Sequence, residues 1–284
     1  MPYDYTRKAL YKPETKHVFE GMRPDLIFDA SEQGYSLTNC WWLSNLAHLA
    51  YFDEEPLRAE LEKVHLELVD FYNAGGTQGF LAKTSEFAVL AFRGTEPDEF
   101  RDSLQDIKIP MVPFGDIGNV HKGFRDALDF VWPQVESGLQ RLEVSGIPVW
   151  ITGHSLGAAL ATLAAARRAP AALFTFGSPR VGDREFQKLF SSMNTHRAVN
   201  CADIVTTVPP GNIGYQHVGD LYFLTEAAPL VKNPSKSTMR SAKTRAILRY
   251  TSRLPWLRKD WVTARSLTDH AIINYSAGLW KEMA

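Results

Sequence analysis

Residues 153–157 read GHSLG and place one serine, Ser155, between two glycines. The apolar run VWIT precedes this pentapeptide and the small-residue run LGAALATLAAARRA follows the serine, which predicts a buried strand, a sharp turn and a helix. A serine on such a strained turn needs neighbours without side chains, and Gly153 and Gly157 meet that need. Its hydroxyl would stand above the sheet edge at a helix N-terminus, which favours developing negative charge. The pattern predicts a nucleophile; the alternative is a serine that caps the helix.

A serine hydroxyl is a poor nucleophile at neutral pH, so it requires a general base that a carboxylate orients. After a turn of this kind the acid precedes the histidine along the chain. Three histidines follow Ser155, namely His196, His217 and His270. His196 precedes a predicted strand, and no acid between it and Ser155 is placed at a strand end. The residues by themselves leave His217 and His270 open as the base.

The elements that must position these groups follow from the hydrophobic pattern. Residues 1–35 are polar and irregular, whereas strands and helices alternate over about 80–225. Such alternation predicts a mainly parallel sheet with helices on both faces. Predicted helices cover 41–51, 56–69, 100–109, 122–141 and 156–169, and predicted strands cover 80–94 (two strands and a tight turn), 148–153, 172–179, 196–200 and 218–224.

Composition limits the class of protein. The chain has 284 residues, of which 45% are hydrophobic and 22% are charged, as in an ordinary globular protein, and we expect a single domain over 1–284. A net charge of −1 argues against a nucleic-acid partner. The two cysteines, Cys40 and Cys201, are expected to be buried thiols, with one disulfide bridge as the alternative. No signal-peptide pattern and no membrane-length apolar run is present, so a cytoplasmic protein is expected, with secretion as the alternative.

Seven stretches, in one order, make the sequence resemble the class 3 lipases, the family of the fungal triacylglycerol lipases and feruloyl esterases. The resemblance extends from about residue 47 to residue 275 and implies an α/β-hydrolase fold. The matching stretches are FRGT (92–95), VHKGF (120–124), TGHSLGAALATLAA (152–165), TFGSPRVGD (175–183), NCADIVTTVPP (200–210), YQHVG (215–219) and DHAIINY (269–275).

The resemblance assigns the acid and the base. It implies that Asp203, before a pair of prolines, is the acid and that His270, in the D-H pair, is the base. His217 then matches a family histidine that lies near the site without being the base.

Three other acids are weaker candidates for orienting the base. Asp183 is better placed to cap a helix, and Asp220 comes at the start of a strand. Asp269 is adjacent to His270 in the chain, and adjacent side chains diverge.

An oxyanion hole needs donors aimed at the tetrahedral intermediate. One donor is expected to be the backbone N–H of Leu156, the residue after the nucleophile. The resemblance implies that the second is Thr95, through its N–H and hydroxyl, while Arg93 and Gly94 shape the loop.

The resemblance also implies a lid over 96–109. Phe100, Leu104 and Ile107 would form its apolar face and contact substrate. The alternative is a fixed surface helix whose stripe packs on the core.

A basic insertion over 230–265 departs from the family, which has only a short link there. It carries ten Lys and Arg but one acid, a net charge of +9 that leaves the rest of the chain at −10. Ala242, Ala246, Tyr250 and Leu254 would share a helix face with Ile247, and Trp256 and Trp261 follow. A second cap, a contact with an anionic membrane and a partner site are the functional interpretations. A solvated helix packed beside the site is the alternative.

Together these features predict a carboxylic ester hydrolase, first of all a triacylglycerol or acylglycerol lipase that forms an acyl-enzyme on Ser155. The alternatives are a phospholipase A1, a feruloyl-type esterase, or a catalytically inactive lipid-binding relative. No metal or organic cofactor is expected. The expected partners are an acyl ester or lipid substrate and, transiently, a lipid surface, and the chain is taken to be a monomer.

Overall fold

The computed structural model of the chain describes residues 3–11, 14–95, 110–226, 229–253 and 264–283. The predicted lid over 96–109, with Phe100, Leu104 and Ile107, lies outside these residues.

Ten strands occur in the described residues, and eight of them form one central sheet. They are β1 (Glu67–Ala74), β2 (Thr77–Lys83), β3 (Ala88–Phe92), β4 (Met111–Pro113), β5 (Asn119–His121), β6 (Val149–His154), β7 (Ala172–Phe176), β8 (Thr195–Asn200), β9 (Asp220–Leu224) and β10 (Val231–Lys232). The order across the sheet is β1-β2-β3-β6-β7-β8-β9-β10, and β4 pairs with β5 separately. Strands β3, β6, β7, β8 and β9 are parallel, while β1, β2 and β10 add antiparallel edges. The predicted α/β-hydrolase fold, with its mainly parallel sheet, is confirmed.

The described residues also form nine α-helices. They are α1 (Arg7–Tyr11), α2 (Leu37–Leu49), α3 (Glu54–Lys63), α4 (Lys122–Glu143), α5 (Leu156–Arg167), α6 (Arg184–Leu189), α7 (Lys236–Arg253), α8 (Arg265–Thr268) and α9 (Ile272–Met283). Among them, none is both long enough and apolar enough to cross a bilayer.

The side chains of the central strands alternate between two apolar layers, because successive residues of a strand point to opposite faces. From β3, Val89 and Ala91 join the layer that contains α2 and α9, whereas Leu90 and Phe92 join the layer that contains α4 and α5. Both layers consist of fully buried aliphatic and aromatic side chains. The predicted helices on both faces are therefore present, and they bury the parallel strands from both sides.

One predicted helix ends early. The helix predicted over 56–69 stops at Lys63, and β1 begins at Glu67, so that prediction is wrong beyond residue 63. The reason is a change of period: His65 takes a left-handed conformation with φ of 61°, after which Leu66 and Leu68 are buried while Glu67 is exposed. Alternation of this kind is typical of a strand, and β1 pairs with β2 through a tight hairpin.

Both cysteines are buried and free, Cys40 within α2 and Cys201 directly after β8. Burial raises the pKa of each thiol to about 12, so both stay protonated at neutral pH.

Candidate active site

Ser155 lies on the turn between β6 and α5, at the carboxyl edge of the parallel strands. Its backbone is strained, with φ of 60° and ψ of −127°, a combination that L-residues rarely adopt. A Cβ on Gly153 would overlap the backbone of Gly157, and a Cβ on Gly157 would overlap the carbonyl of Phe92. The two glycines of the GHSLG motif are therefore needed because three backbone segments pack against one another here.

The structure brings Ser155 together with His270 and Asp203. The Nε2 atom of His270 lies 2.9 Å from the Oγ atom of Ser155, and its Nδ1 atom lies 3.0 and 3.1 Å from the two carboxylate oxygens of Asp203. Because a carboxylate only accepts hydrogen bonds, Nδ1–H donates to Asp203 and Nε2 is left to accept the proton of the serine. All three side chains are buried.

Two donors besides His270 hold the carboxylate of Asp203. The hydroxyl of Tyr275, on α9, donates to Oδ2 over 2.6 Å, and the N–H of Val205 donates to Oδ1 over 2.8 Å. Burial, followed by the charge of Asp203, holds the pKa of Tyr275 well above its usual range, so the phenol remains a donor. Tyr275 was not among the candidate residues, although it is the last residue of the DHAIINY stretch.

The competing acids and histidines have other contacts. Asp183 caps α6 by accepting from the N–H of Phe186 over 2.9 Å, and Asp220 forms an ion pair with Lys232. His217 lies with Nε2 2.9 Å from the carbonyl of Thr206.

Asp269 does not face the ring of His270 but connects the segment that carries His270 to the loop that carries Asp203. Its Oδ1 lies 2.7 Å from Nε of the buried Arg265, and its Oδ2 accepts from the N–H of Ala202 over 2.9 Å. The side chain of Asn200 donates to the carbonyl of Asp269 over 2.9 Å. Burial raises the pKa of Asp269 to about 6, against the opposing effect of Arg265.

Arg265, the ion-pair partner of Asp269, also contacts three parts of the chain that are distant from it in sequence. Its Nη1 atom lies 3.0 Å from the carboxylate of Glu226 and donates to the hydroxyl of Tyr5 over 3.1 Å. Its guanidinium also lies over the rings of Tyr3, Tyr5 and Tyr250, with 5.1–5.8 Å between its central carbon and the ring centroids. The N-terminal segment and α7 therefore pack around the cation beside the site.

His154, inside the GHSLG motif, supports the backbone of the base. Its Nε2 lies 2.7 Å from the carbonyl of His270, and its Nδ1 lies 2.6 Å from the hydroxyl of Tyr51. Burial, and then the neighbouring His270, hold the pKa of His154 well below its usual range, so the ring is neutral. Nε2–H therefore donates to the carbonyl, and the hydroxyl of Tyr51 donates to Nδ1.

The two predicted oxyanion donors lie on segments that flank the serine. Leu156 is the first residue of α5, directly after Ser155. Thr95 follows Gly94, and a Cβ on Gly94 would come within 2.9 Å of the Cβ of Ser155, so this loop packs directly on the serine. The segment is half-buried at Thr95.

Across the described parts of the chain, no group of three or more His, Cys, Asp or Glu side chains has the spacing to hold a metal ion.

Comparison with known proteins gives one family and several relatives. A family model described as Lipase (class 3) matches residues 89–213. A lipase of Rhizomucor miehei is 32% identical over 155 residues, which are 49% of this chain and 42% of the relative. Phospholipase A1-IIgamma of Arabidopsis thaliana is 37% identical over 128 residues, 38% of this chain and 30% of the relative. The chain thus spans less than half the length of the curated relatives it matches.

Among solved structures, those similar to this chain include lipases. A triacylglycerol lipase reported to have a serine-protease triad as its catalytic centre is 25% identical, with a TM-score of 0.61 over 69% of this chain and 83% of its own. A native propeptide complex of the Rhizomucor miehei lipase covers 98% of this chain and 88% of its own, with a TM-score of 0.60. Its identity of 18% indicates a shared fold and no more.

Replacing Arg265 with Met should destabilise the protein in a pH-dependent way. Removing one partner of a buried ion pair costs about 3–5 kcal/mol, because the other charge stays buried. Without Arg265 the pKa of Asp269 rises above its present value of about 6, so at pH 5 the folded protein binds a proton that the unfolded chain has largely lost. Urea unfolding should therefore show a smaller loss at pH 5 than at pH 8.

The control is the double variant Arg265→Met/Asp269→Asn, which leaves no buried unpaired charge at this position. It should recover stability at pH 8 and lose the difference between the two pH values. An equal loss at both pH values for Arg265→Met would show that Asp269 does not depend on this ion pair.

Proposed function

Since the chain belongs to the class 3 lipase family, we propose that it hydrolyses the carboxylic esters of lipids through an acyl-enzyme on Ser155. One observation carries the proposal. The hydroxyl of Ser155, the imidazole of His270 and the carboxylate of Asp203 form a buried hydrogen-bonded series with distances of 2.9 and 3.0 Å. This is the geometry that activates a serine: a base in contact with the nucleophile, and an acid that orients the base.

In the acylation step, Ser155 Oγ attacks the ester carbonyl while Nε2 of His270 takes the hydroxyl proton. The carbonyl electrons move to oxygen, which becomes an oxyanion. Asp203, held by the donors from Tyr275 and Val205, stabilises the imidazolium that forms.

Leu156 and Thr95 are proposed to bind the oxyanion. The N–H of Leu156 is at the N-terminus of α5, where unsatisfied N–H groups and the helix dipole favour negative charge. When the tetrahedral intermediate collapses, the C–O bond breaks and His270 returns its proton to the leaving alcohol. Water then attacks the acyl-enzyme with His270 as base, the acid is released, and Ser155 regains its proton.

Lipid esters are the proposed substrate class because both kinds of relative act on them by name. The relatives include lipases, among them a secreted mono- and diacylglycerol lipase of Fusarium solani, and phospholipases A1 of Arabidopsis and rice. We take acylglycerols as the first candidate and the sn-1 ester of phospholipids as the second. Fatty-acid release from tributyrin and from phosphatidylcholine would separate the two. A catalytically inactive lipid-binding protein would not need the serine, base and acid that are assembled here.

Ser155→Ala should abolish hydrolysis while leaving the fold intact. A fluorophosphonate probe should label the wild-type protein and not the variant, because only an activated serine attacks the phosphorus. Ser178→Ala is a matched control, since Ser178 is also buried but donates to the carbonyl of Pro179, and it should be labelled like the wild type. Wild-type protein that neither reacts with the probe nor hydrolyses p-nitrophenyl butyrate would disprove the proposed function.

Tyr275→Phe should slow hydrolysis without abolishing it. A hydrogen bond to a charged group is worth about 1.5–3 kcal/mol, so we expect kcat/KM to fall by about 10- to 150-fold.

Tyr72→Phe is the matched control, because Tyr72 is another buried tyrosine whose hydroxyl donates to an aspartate, Asp70, over 3.3 Å, on the edge strand β1. It should keep the kcat/KM of the wild type. If Tyr275→Phe does the same, the donor from Tyr275 does not position Asp203.

A further inference from the structure

Helix α7, within the basic insertion, contains six lysines and arginines and no acid. It is anchored to the protein along one side only. Ala242 and Tyr250 are buried, and Ala246 and Met239 pack against residues of β8 and β9. The remainder of the helix faces outward, including two aliphatic side chains, Ile247 and Leu248, which are 36% and 64% exposed.

Five cations of α7 have no counter-ion in the part of the chain that the structure describes. No described residue forms an ion pair with Lys236, Arg240, Lys243, Arg245 or Arg249. Arg245 instead donates to the hydroxyl of Ser241. Several exposed lysines elsewhere on the surface form ion pairs, for example Lys63 with Glu60 and Lys188 with Glu185. The charge of α7 is therefore directed to the outside.

One carboxylate lies near these cations. Glu226 lines a groove of about 260 Å³ together with Arg245 and Arg249. Both of its oxygens are already engaged, one by the hydroxyl of Tyr5 and the other by Arg265. Glu226 therefore forms its ion pair with Arg265 and none with the two arginines of α7.

The helical period distributes these residues in a particular way. With 3.6 residues per turn, Lys236, Arg240 and Lys243 lie along one flank of the buried stripe, and Arg245 and Arg249 lie along the other. Ile247 lies within the first flank, between Lys236 and Arg240, and Leu248 lies on the outer face among serine and threonine side chains. Cations and two exposed aliphatic side chains therefore share the exposed surface of the helix, so that the former can contact anionic lipid head groups while the latter insert among them.

The position of α7 relates it to the candidate active site. Tyr250 packs on Tyr5 with 5.3 Å between ring centroids, and both rings surround Arg265, whose partner Asp269 precedes His270. Ile247 and Leu248 are within one turn of Tyr250. The part of α7 that carries Ile247 and Leu248 is thus connected to the segment of His270 by contacts of three side chains, which are Tyr250, Arg265 and Asp269.

We propose that the outer face of α7 binds the anionic surface of a lipid bilayer and so brings the site to its substrate. That α7 brings the site to its substrate rests on the proposed function, whereas the binding of α7 to the bilayer does not. The chain outside the insertion carries a net charge of −10 and the insertion +9, so the insertion is the segment that an anionic surface attracts most. The exposed Ile247 and Leu248 favour a lipid surface over a nucleic acid, whose phosphates offer them no apolar contact.

Vesicle binding tests the proposal in a Ser155→Ala background, so that no lipid is hydrolysed. The probe is phosphatidylcholine vesicles with and without phosphatidylserine, and the readout is the partition coefficient by co-sedimentation. Each Lys or Arg near an anionic surface contributes about 1 kcal/mol, or roughly fivefold in affinity. Arg240→Gln/Lys243→Gln and Arg245→Gln/Arg249→Gln should therefore each weaken binding by roughly 25-fold, and only where phosphatidylserine is present.

The control is Lys63→Gln/Lys188→Gln, which changes the net charge equally at two paired lysines on α3 and α6. It should leave vesicle binding unchanged. Ile247→Ser/Leu248→Ser should weaken the binding that remains at high salt, where the electrostatic attraction is screened. With Ser155 intact, hydrolysis of monomeric p-nitrophenyl butyrate should be the same for all α7 variants, which verifies that they fold.

The proposal would be overturned if both double variants of α7, Arg240→Gln/Lys243→Gln and Arg245→Gln/Arg249→Gln, bound vesicles like the parent protein. It would also be overturned if the Lys63→Gln/Lys188→Gln control lost as much binding as they do. Because binding is measured without catalysis, failure here is separate from failure of the proposed function. A protein that binds vesicles through α7 but does not react with fluorophosphonate would retain this inference and lose the other.

Discussion

Three backbone segments meet at Ser155 with no space for a side chain between them, and the rest of the site depends on this contact. Gly157 at the start of α5 lies against the carbonyl of Phe92 at the end of β3, and Gly153 at the end of β6 lies against Gly157. The contact forces Ser155 to a φ of 60°. A strained conformation of this kind persists only where surrounding structure over-determines it. Here the parallel pairing of β3 with β6 and the buried packing of α5 supply that constraint.

The acid and the base are brought to this fixed serine by elements far away in the chain, and buried polar contacts hold them in register. Asp269 binds the N–H of Ala202 and thereby joins the segment of His270 to the loop of Asp203. His154 holds the carbonyl of His270, so the motif that carries the nucleophile also positions the base. Each contact leaves few alternative arrangements, because an unpaired polar group at this depth would cost about 1–3 kcal/mol. The geometry of the site is therefore a consequence of satisfying buried donors and acceptors.

Sequence reasoning succeeded where the signal was local. The elbow around Ser155 combines a strand, two glycines and a helix within a few residues, and its structure follows from sterics. Asp203 and His270 are separated by 67 residues, and the residues by themselves left His217 as a rival base; the resemblance to a family selected the pair that the structure brings together. Tyr275 and Arg265 could not be found in this way, because their roles depend on which atoms meet in three dimensions. The start of β1 was missed for another reason. The helical pattern of apolar residues ends at Leu61, and an alternation of apolar and polar residues, typical of a strand, follows it directly.

The basic insertion illustrates how a charged surface and a buried site share one set of contacts. Lys236 and Arg240, and likewise Arg245 and Arg249, are like charges one turn apart, and each such pair opposes helix formation by about 0.2–0.5 kcal/mol. Packing must offset this repulsion, and Tyr250 supplies part of it by lying over the guanidinium of Arg265. An anionic surface beside α7 would relieve the same repulsion. Direct contacts of Tyr250 with Arg265, and of Arg265 with Asp269, connect the basic helix to the segment that carries His270.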